Sequence, residues 1–143
     1  MSLRISIVGG SGYTAGEMLR LIINHPELEI GQVVSRSNAG QPMWRLHPHL
    51  RGHNLPSFVE IDSLKETDIL ILAQPHGIAQ KKIAYYSEIS PKIIDLSSDF
   101  RLNTLTNYKK WYGDAHLAPD WLPRFVYGLP EIYGEEISDS QYV

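Results

Sequence analysis

A glycine-rich segment between an apolar run and an amphipathic run is the feature that most restricts how this chain can fold. Residues 9–14 (Gly-Gly-Ser-Gly-Tyr-Thr) follow the apolar stretch Leu3–Val8 and precede a helical pattern. Within this segment, Gly10, Gly12 and Ala15 fit the spacing G-x-G-x-x-A that joins a strand to a helix in dinucleotide-binding folds. Such a turn presents backbone N–H groups and the positive end of a helix dipole to an anion, which predicts a pyrophosphate-binding turn.

Strand-like and helix-like segments alternate along the chain. Short apolar, β-branched stretches predict strands, and apolar residues at helical spacing predict helices. The predicted strands are Leu3–Val8, Leu28–Ser35, Phe58–Ile61, Asp68–Ala73, Lys92–Leu96 and Phe125–Tyr127, and the predicted helices are Thr14–Asn24, Gly77–Ser87 and Thr106–Tyr112. This alternation predicts a mostly parallel sheet covered by helices, that is, a Rossmann-type, doubly wound α/β fold.

The end of the second predicted strand indicates which dinucleotide the turn would hold. Folds that bind NAD usually carry an acidic residue there, which binds the ribose hydroxyls. This chain has Ser35, Arg36 and Ser37 instead. A guanidinium and two hydroxyls suit a 2′-phosphate better than a ribose diol, so we expect NADP (as NADPH) to be the cofactor.

A third loop, Ala73–Gly77 (Ala-Gln-Pro-His-Gly), follows the next buried strand. Ligands of open α/β sheets bind at the carboxyl ends of the strands, so we expect this loop near the nicotinamide. The residues predicted to bind the cofactor are Gly9, Gly10, Ser11, Gly12, Tyr13, Thr14, Ser35, Arg36, Ser37, Pro75 and His76.

Composition excludes several classes of protein and site. The 143 residues contain no cysteine, which excludes disulfides, thiolate metal sites and a cysteine nucleophile within them. A net charge of −3 argues against general nucleic-acid binding. No apolar run has the length of a membrane span and no signal peptide is visible, so we expect a cytoplasmic protein without membrane contact. Because Gln141–Val143 resembles the start of a strand, we expect residues 1–143 to be an incomplete Rossmann domain.

The span Ile30–Val59 contains no Asp or Glu. Its basic residues and histidines are Arg36, Arg45, His47, His49, Arg51 and His53. The span predicts a local anion-binding surface on a mildly acidic protein. The alternating histidines also raise the possibility of a zinc site, but Pro48 and the neighbouring arginines favour a surface or partner-binding loop, and no metal site is predicted.

Several motifs in order resemble the N-terminal part of the N-acetyl-γ-glutamyl-phosphate reductase family. The resemblance includes the carrier-protein-dependent (LysW-type) aminoadipyl and glutamyl phosphate reductases of lysine and arginine biosynthesis. The matching segments cover nearly the whole chain and are 9–14, Ser35-Arg36, Ala39-Gly40, 47–52 (His-Pro-His-Leu-Arg-Gly), Pro75–Gly77, 95–102 (Asp-Leu-Ser-Ser-Asp-Phe-Arg-Leu) and 127–131 (Tyr-Gly-Leu-Pro-Glu).

The resemblance implies an NADPH-dependent reduction of an acyl phosphate to a semialdehyde. In the family a cysteine thiolate attacks the acyl carbonyl, phosphate leaves, and hydride reduces the thioester. That cysteine follows the segment matching Leu129–Glu131 and is expected beyond Val143, as is a catalytic histidine of a second domain. Residues 1–143 are therefore expected to supply the cofactor-binding half and to be inactive alone, with Ser98 and Arg101 on the substrate side.

The resemblance also implies partners and leaves alternatives. Ala39–Gly52 looks closer to the branch whose substrate is attached to a small acidic carrier protein, and the full-length protein is expected to be a homo-oligomer. A non-catalytic NADP-binding module is one alternative. An enzyme like aspartate-semialdehyde dehydrogenase, which has a similar glycine turn, is the other; residues 47–52 and 127–131 favour the reductase family over it.

Overall fold

The computed structural model describes residues 2–143. Within them, four strands form one parallel sheet: Leu3–Val8 (β1), Leu28–Val34 (β2), Ile69–Leu72 (β3) and Lys92–Asp95 (β4). The strand order is β2-β1-β3-β4. Since β2 lies on one side of β1 and β3 on the other, the sheet has a switch point at β1, where open α/β folds form a ligand crevice. The predicted doubly wound α/β fold is confirmed.

Helix Tyr13–Ile22 (α1) covers one face of the sheet, and its buried residues recur at helical spacing. Ala15, Leu19 and Ile22 are buried, while Arg20 points to solvent and pairs with Glu17 at 2.9 Å. The other helices are Ile83–Ile89 (α2), Leu105–Tyr112 (α3) and Pro130–Asp139 (α4). No helix among residues 2–143 has the length and apolar character needed to cross a membrane.

The alternation of side chains along the strands divides the core between the two faces of the sheet. In β3, Ile71 packs on the α1 face, whereas Leu70 and Leu72 pack on the opposite face. Buried residues of the α1 face are Ile5, Ile7, Ala15, Leu19, Ile22, Val33, Met43, Leu50, Phe58 and Ile71. The loop between β2 and β3 therefore contributes to the core through Met43, Leu50 and Phe58.

Three predicted elements are shorter or interrupted. The predicted strand Phe58–Ile61 is reduced to one bridge between Val59 and Val34. Likewise, Phe125–Tyr127 forms a single bridge, from Phe125 to Tyr142. The predicted helix Gly77–Ser87 divides into a 3-10 turn, Ala79–Lys81, and α2. At the start of this segment the buried carboxylate of Asp99 accepts hydrogen bonds from the backbone N–H groups of Gly77 and Gln80, which explains the tighter first turn.

The sequence did not predict α4, because the helix buries no residue and so shows no apolar stripe. Its backbone departs from helical geometry at Tyr133 (φ −113°, ψ 28°). After α4, the strand-like character of residues 141–143 is confirmed. Ile93 donates to the carbonyl of Gln141 and Asp95 to that of Val143, which places this segment beside β4.

Candidate cofactor site

A cleft of about 560 Å³ lies where β1, β2 and β3 end. Its walls come from the residues that follow each of these strands and from the segment leading into α2. The lining residues are Val8, Gly9, Ser11, Val34, Ser35, Arg36, Ser37, Glu60, Ile61, Asp62, Gln74, Pro75, Ile78, Lys81, Lys82 and Tyr86. The cleft therefore occupies the switch-point crevice, and it brings together the three loops that the sequence indicated separately.

At two positions of the turn between β1 and α1, only glycine fits. Gly9 has φ +94°, and a Cβ there would lie 2.3 Å from the carbonyl oxygen of Ala73. A Cβ on Gly10 would lie 2.3 Å from Cγ1 of Val33. These glycines let the turn pass directly over the ends of the neighbouring strands, as close backbone approach requires.

The same turn leaves amides without acceptors inside the described part of the chain. The N–H groups of Gly9 and Gly10 donate to the carbonyl oxygen of Val34, whereas those of Ser11, Tyr13 and Thr14 find no acceptor among residues 2–143. Helix α1 has no side-chain N-cap and no acidic residue in its first turn. This arrangement of free donors at the positive end of a helix suits a bound phosphate.

The end of the cleft that is formed by the residues after β2 carries mixed charge. Arg36 and Ser37 are exposed, while Ser35 is buried and its Oγ accepts from Asn38 Nδ2 at 3.1 Å. The other charged lining residues are Glu60, Asp62, Lys81 and Lys82. Lys81 and Lys82 were not among the residues predicted to bind the cofactor. Both are exposed, and they lie at the end of the 3-10 turn Ala79–Lys81 and directly after it, a turn that no signal in the sequence marked.

The predicted residues Gly10, Gly12, Tyr13, Thr14 and His76 do not line the cleft itself. The first four belong to the turn and its helix start, and the side chain of Tyr13 is 98% exposed.

His76 instead joins a polar cluster beside the cleft. Its Nδ1 lies 2.7 Å from Oγ of Ser98 and 2.9 Å from Oδ1 of Asp99, and its Nε2 lies 3.2 Å from the hydroxyl of Tyr108. The ring of Tyr112 packs on the imidazole at 4.8 Å between centroids. The structure thus brings His76 together with the predicted substrate-side residue Ser98.

Asp99 organises this cluster and was not singled out from the sequence. Its side chain is fully buried, and its two oxygens accept the backbone N–H groups of Gly77 (2.6 Å) and Gln80 (3.0 Å). The carbonyl of Asp99 accepts from Nε2 of His116 at 3.0 Å. Burial is the main reason that the pKa of His116 is lowered, so this ring is neutral at neutral pH.

A second cavity of about 310 Å³ contains the other predicted substrate-side residue, Arg101. It lies beyond the end of β4 and is also lined by Asp95, Ser97 and Tyr127. Burial raises the pKa of Asp95 to about 6, against hydrogen bonds from the N–H and Oγ of Ser97 that lower it. Ser98 does not line this cavity, so the two predicted substrate-side residues face different neighbours.

The histidine loop corrects one expectation. The sequence favoured a surface or partner-binding loop, and Arg45, His49 and Arg51 are indeed exposed, but His47 is buried (5% exposed) and its Nε2 donates to the carbonyl oxygen of Gly10 at 2.7 Å. Nε2 of His49 donates to the carbonyl oxygen of Gly16 at 3.1 Å. His53 is exposed, as expected. Two of the three rings thus attach the loop to the glycine turn and α1.

A family model described as "Semialdehyde dehydrogenase, NAD binding domain" matches residues 4–140. The chain belongs to this family. The match accounts for the crevice at the switch point and for the glycine turn beside it, and it confirms that this is an NAD-binding type of domain.

Within this family, the curated relatives link the chain to acyl-phosphate reductases. The chain is 44% identical, over its full length, to a "Putative [LysW]-L-2-aminoadipate 6-phosphate reductase" of Thermomicrobium roseum. It is 41% identical, over 99% of its length, to the N-acetyl-gamma-glutamyl-phosphate reductase of Marinobacter nauticus. The chain spans 41% of the length of each of these relatives.

Solved structures of the semialdehyde dehydrogenase family share the fold. Aspartate semialdehyde dehydrogenase II of Vibrio cholerae aligns with 96% of this chain and 35% of its own, at a TM-score of 0.61 and 14% identity. Aspartate semialdehyde dehydrogenase of Candida albicans, solved with NADP, aligns with 71% of this chain and 31% of its own, at a TM-score of 0.56 and 18% identity. At these identities the likeness concerns the fold alone.

Proposed function

We propose that this chain is the cofactor-binding part of an NADPH-dependent reductase that converts an acyl phosphate to a semialdehyde in arginine or lysine biosynthesis. The observation that carries the proposal is the switch-point cleft. There a glycine turn with free amides faces Arg36, in a chain 41–44% identical to reductases of this kind. The nucleophilic cysteine and the second domain of the proposed enzyme lie outside residues 1–143, which contain no cysteine.

In this proposal the residues of the cleft divide the cofactor between them. The turn from Gly9 to Thr14 binds the pyrophosphate through backbone N–H groups. Ser35, Arg36 and Ser37 bind the 2′-phosphate, and the cleft-lining Lys81 and Lys82 add positive charge. The net charge of the cleft favours an anion, because three cationic side chains face the two carboxylates of Glu60 and Asp62.

The loop after β3 would hold the reactive end. Pro75 lines the cleft, and His76 stands beside it against Ser98, so this loop lies between the cofactor and the proposed substrate side. NADPH would supply the hydride that reduces the acyl carbon. In the second cavity, Arg101 would bind the acyl phosphate or the phosphate that it releases, as a guanidinium suits paired phosphate oxygens.

Titration of the full-length protein with NADPH and NADH tests the cofactor assignment. We expect NADPH to bind more tightly, and Arg36→Ala to weaken NADPH binding about 10-fold or more while leaving NADH binding unchanged. Arg20→Ala is the matched control, because Arg20 pairs with Glu17 on the outer side of α1. Equal affinity for both dinucleotides would overturn the 2′-phosphate assignment, and binding of neither would overturn the proposed function.

We further propose a carrier-bound substrate, supported by the loop at residues 38–59. This loop holds no acidic residue up to Val59, and the guanidinium of Arg51 lies 5.2 Å from the ring centre of the exposed Trp44. Such a cationic, partly apolar surface complements a small acidic carrier protein. Neutralising Arg45 and Arg51 should slow reduction of the carrier-bound substrate and leave the free N-acetylated substrate unaffected. An unchanged rate with the carrier-bound form would favour the free substrate.

The proposal includes a homo-oligomeric full-length protein, as the family resemblance implies. Sedimentation of the full-length protein tests this, and a monomer at micromolar concentration would contradict it.

A further inference from the structure

His47 connects the histidine loop to the glycine turn, and the proposed function does not yet give it a role. We propose that His47 is a positioning residue that fixes the orientation of the peptide between Gly10 and Ser11, so that the Ser11 N–H faces the cofactor cleft. This inference rests on the proposed binding of a dinucleotide in that cleft.

The hydrogen bond determines which nitrogen of the ring carries a proton. The carbonyl oxygen of Gly10 can only accept, so Nε2 of His47 must donate in the 2.7 Å contact. The other ring nitrogen, Nδ1, faces α1 at Gly16, where an added Cβ would lie 2.6 Å from it. The ring therefore fits between the turn and the helix because residue 16 has no side chain.

Packing holds the ring in this place. His47 is 5% exposed and meets the ring of Phe58 edge-on at 6.1 Å. Its neighbours in the loop, Met43 and Leu50, are buried in the core of the α1 face. The donor is thus attached to the core through the loop rather than through the glycine turn that it binds.

Peptide geometry transmits this contact to the cleft. In a trans peptide the C=O and the following N–H point in opposite directions. Gly10 directs its carbonyl inward to His47, so the N–H of Ser11 points outward, and Ser11 lines the cleft. Glycine resists peptide rotation least of all residues, so the turn alone would not hold this orientation. A rotated peptide would present a carbonyl oxygen to the anion and leave an unpaired polar group on the inner side.

Ligands with and without a pyrophosphate separate positioning from a general loss of structure. We would measure the affinity of the full-length protein for NADP⁺ and for adenosine 2′-phosphate, which lacks the pyrophosphate. His47→Leu should weaken NADP⁺ binding about 10-fold or more, because the Ser11 N–H would no longer donate a hydrogen bond to the pyrophosphate. The same variant should change adenosine 2′-phosphate binding less than about 2-fold. His47→Gln, which keeps a terminal N–H donor, should restore most of the affinity.

His53→Leu is the matched control, since His53 belongs to the same loop but is exposed. It should change neither affinity. Parallel losses for both ligands in His47→Leu, or no loss for NADP⁺, would overturn the inference. Failure of the unsubstituted protein to bind NADP⁺ would instead overturn the proposed function.

If His47→Leu does not fold, Gly16→Ala gives an independent variant. The new methyl group would displace the imidazole from the turn without removing it. A selective loss of NADP⁺ affinity supports the inference, and an unchanged ratio of the two affinities contradicts it.

Discussion

At the scale of single residues, Asp99 shows how one carboxylate can shape two loops. It belongs to the segment after β4, yet its oxygens accept amides of the segment after β3, at Gly77 and Gln80. Gly77 has φ +83°, so the turn needs both a glycine and an acceptor to keep its form. The carboxylate thereby holds His76 and the cleft-lining Pro75 in a fixed relation to Ser98.

Asp99→Asn tests this role, because an amide has one acceptor oxygen where the carboxylate has two. One of the N–H groups at Gly77 and Gln80 would then face an NH₂ group. Leaving a buried donor unsatisfied costs about 1–3 kcal/mol, which we expect as the loss in the free energy of unfolding. Asp120→Asn, an exposed change of the same kind, should stay within about 0.5 kcal/mol. Urea denaturation measures both, and equal values for the two variants would contradict the role of Asp99.

Two substitutions should distinguish a position that requires glycine from a position that accepts a side chain. Gly9→Ala places a Cβ 2.3 Å from the Ala73 carbonyl oxygen at φ +94° and should destabilise the protein by at least about 2 kcal/mol. Gly134→Ala, in α4, meets no atom within 4 Å and should stabilise it by up to about 1 kcal/mol. Thermal unfolding of both variants is the measurement. A neutral Gly9→Ala would show that the turn can relax away from β3.

At the scale of elements, the sequence predicted the strands and helices that bury an apolar pattern. It located β1, α1, β2, β3 and β4 to within a few residues, because burial imposes a period on each. It missed α4, which buries nothing, and it merged the 3-10 turn Ala79–Lys81 with α2.

In the candidate site, the sequence predicted features that depend on local interactions and missed features that depend on distant ones. Glycine spacing and the residues after each strand predicted six of the residues that line the cleft, namely Gly9, Ser11, Ser35, Arg36, Ser37 and Pro75. Lys81, Lys82 and Asp99 were missed because their positions depend on a contact across 19 residues, between Asp99 and Gln80. His47 was misplaced for a similar reason, since its partner lies 37 residues away at Gly10. Local sequence patterns do not reveal such long-range contacts.

The N-cap of α3 offers a prediction at this scale, because α3 carries Tyr108 against His76. Thr104 caps the helix by accepting from the N–H of Asn107 at 3.3 Å. Thr104→Ala should lower the free energy of unfolding by about 1 kcal/mol, the usual value of such a cap. Thr106→Ala, an exposed change in the first turn without a capping role, should have little effect. A comparable loss in Thr106→Ala would assign the effect to the threonine side chain in general.

At the scale of the whole molecule, the half-buried Asp95 and the buried His116 give the free energy of unfolding opposite dependences on pH. Burial raises the pKa of Asp95 from 3.8 to about 6, so the folded state binds more protons than the unfolded chain between these values. The stabilisation from the neutral carboxyl is complete below about pH 4 and is lost as the pH rises to about 6. Burial lowers the pKa of His116 below 6.5, so its contribution is complete above pH 6.5 and is lost as the pH falls through the lowered pKa.

Because the two contributions oppose each other between pH 4 and pH 6.5, single variants should change the pH profile of stability in opposite directions. Asp95→Asn removes a contribution that falls with pH, so the free energy of unfolding should rise more steeply with pH than in the unsubstituted protein. His116→Gln removes a contribution that rises with pH, so the profile should become flatter or decline. Urea denaturation at several pH values gives these slopes, and a change of the same sign in both variants would refute the opposition of Asp95 and His116.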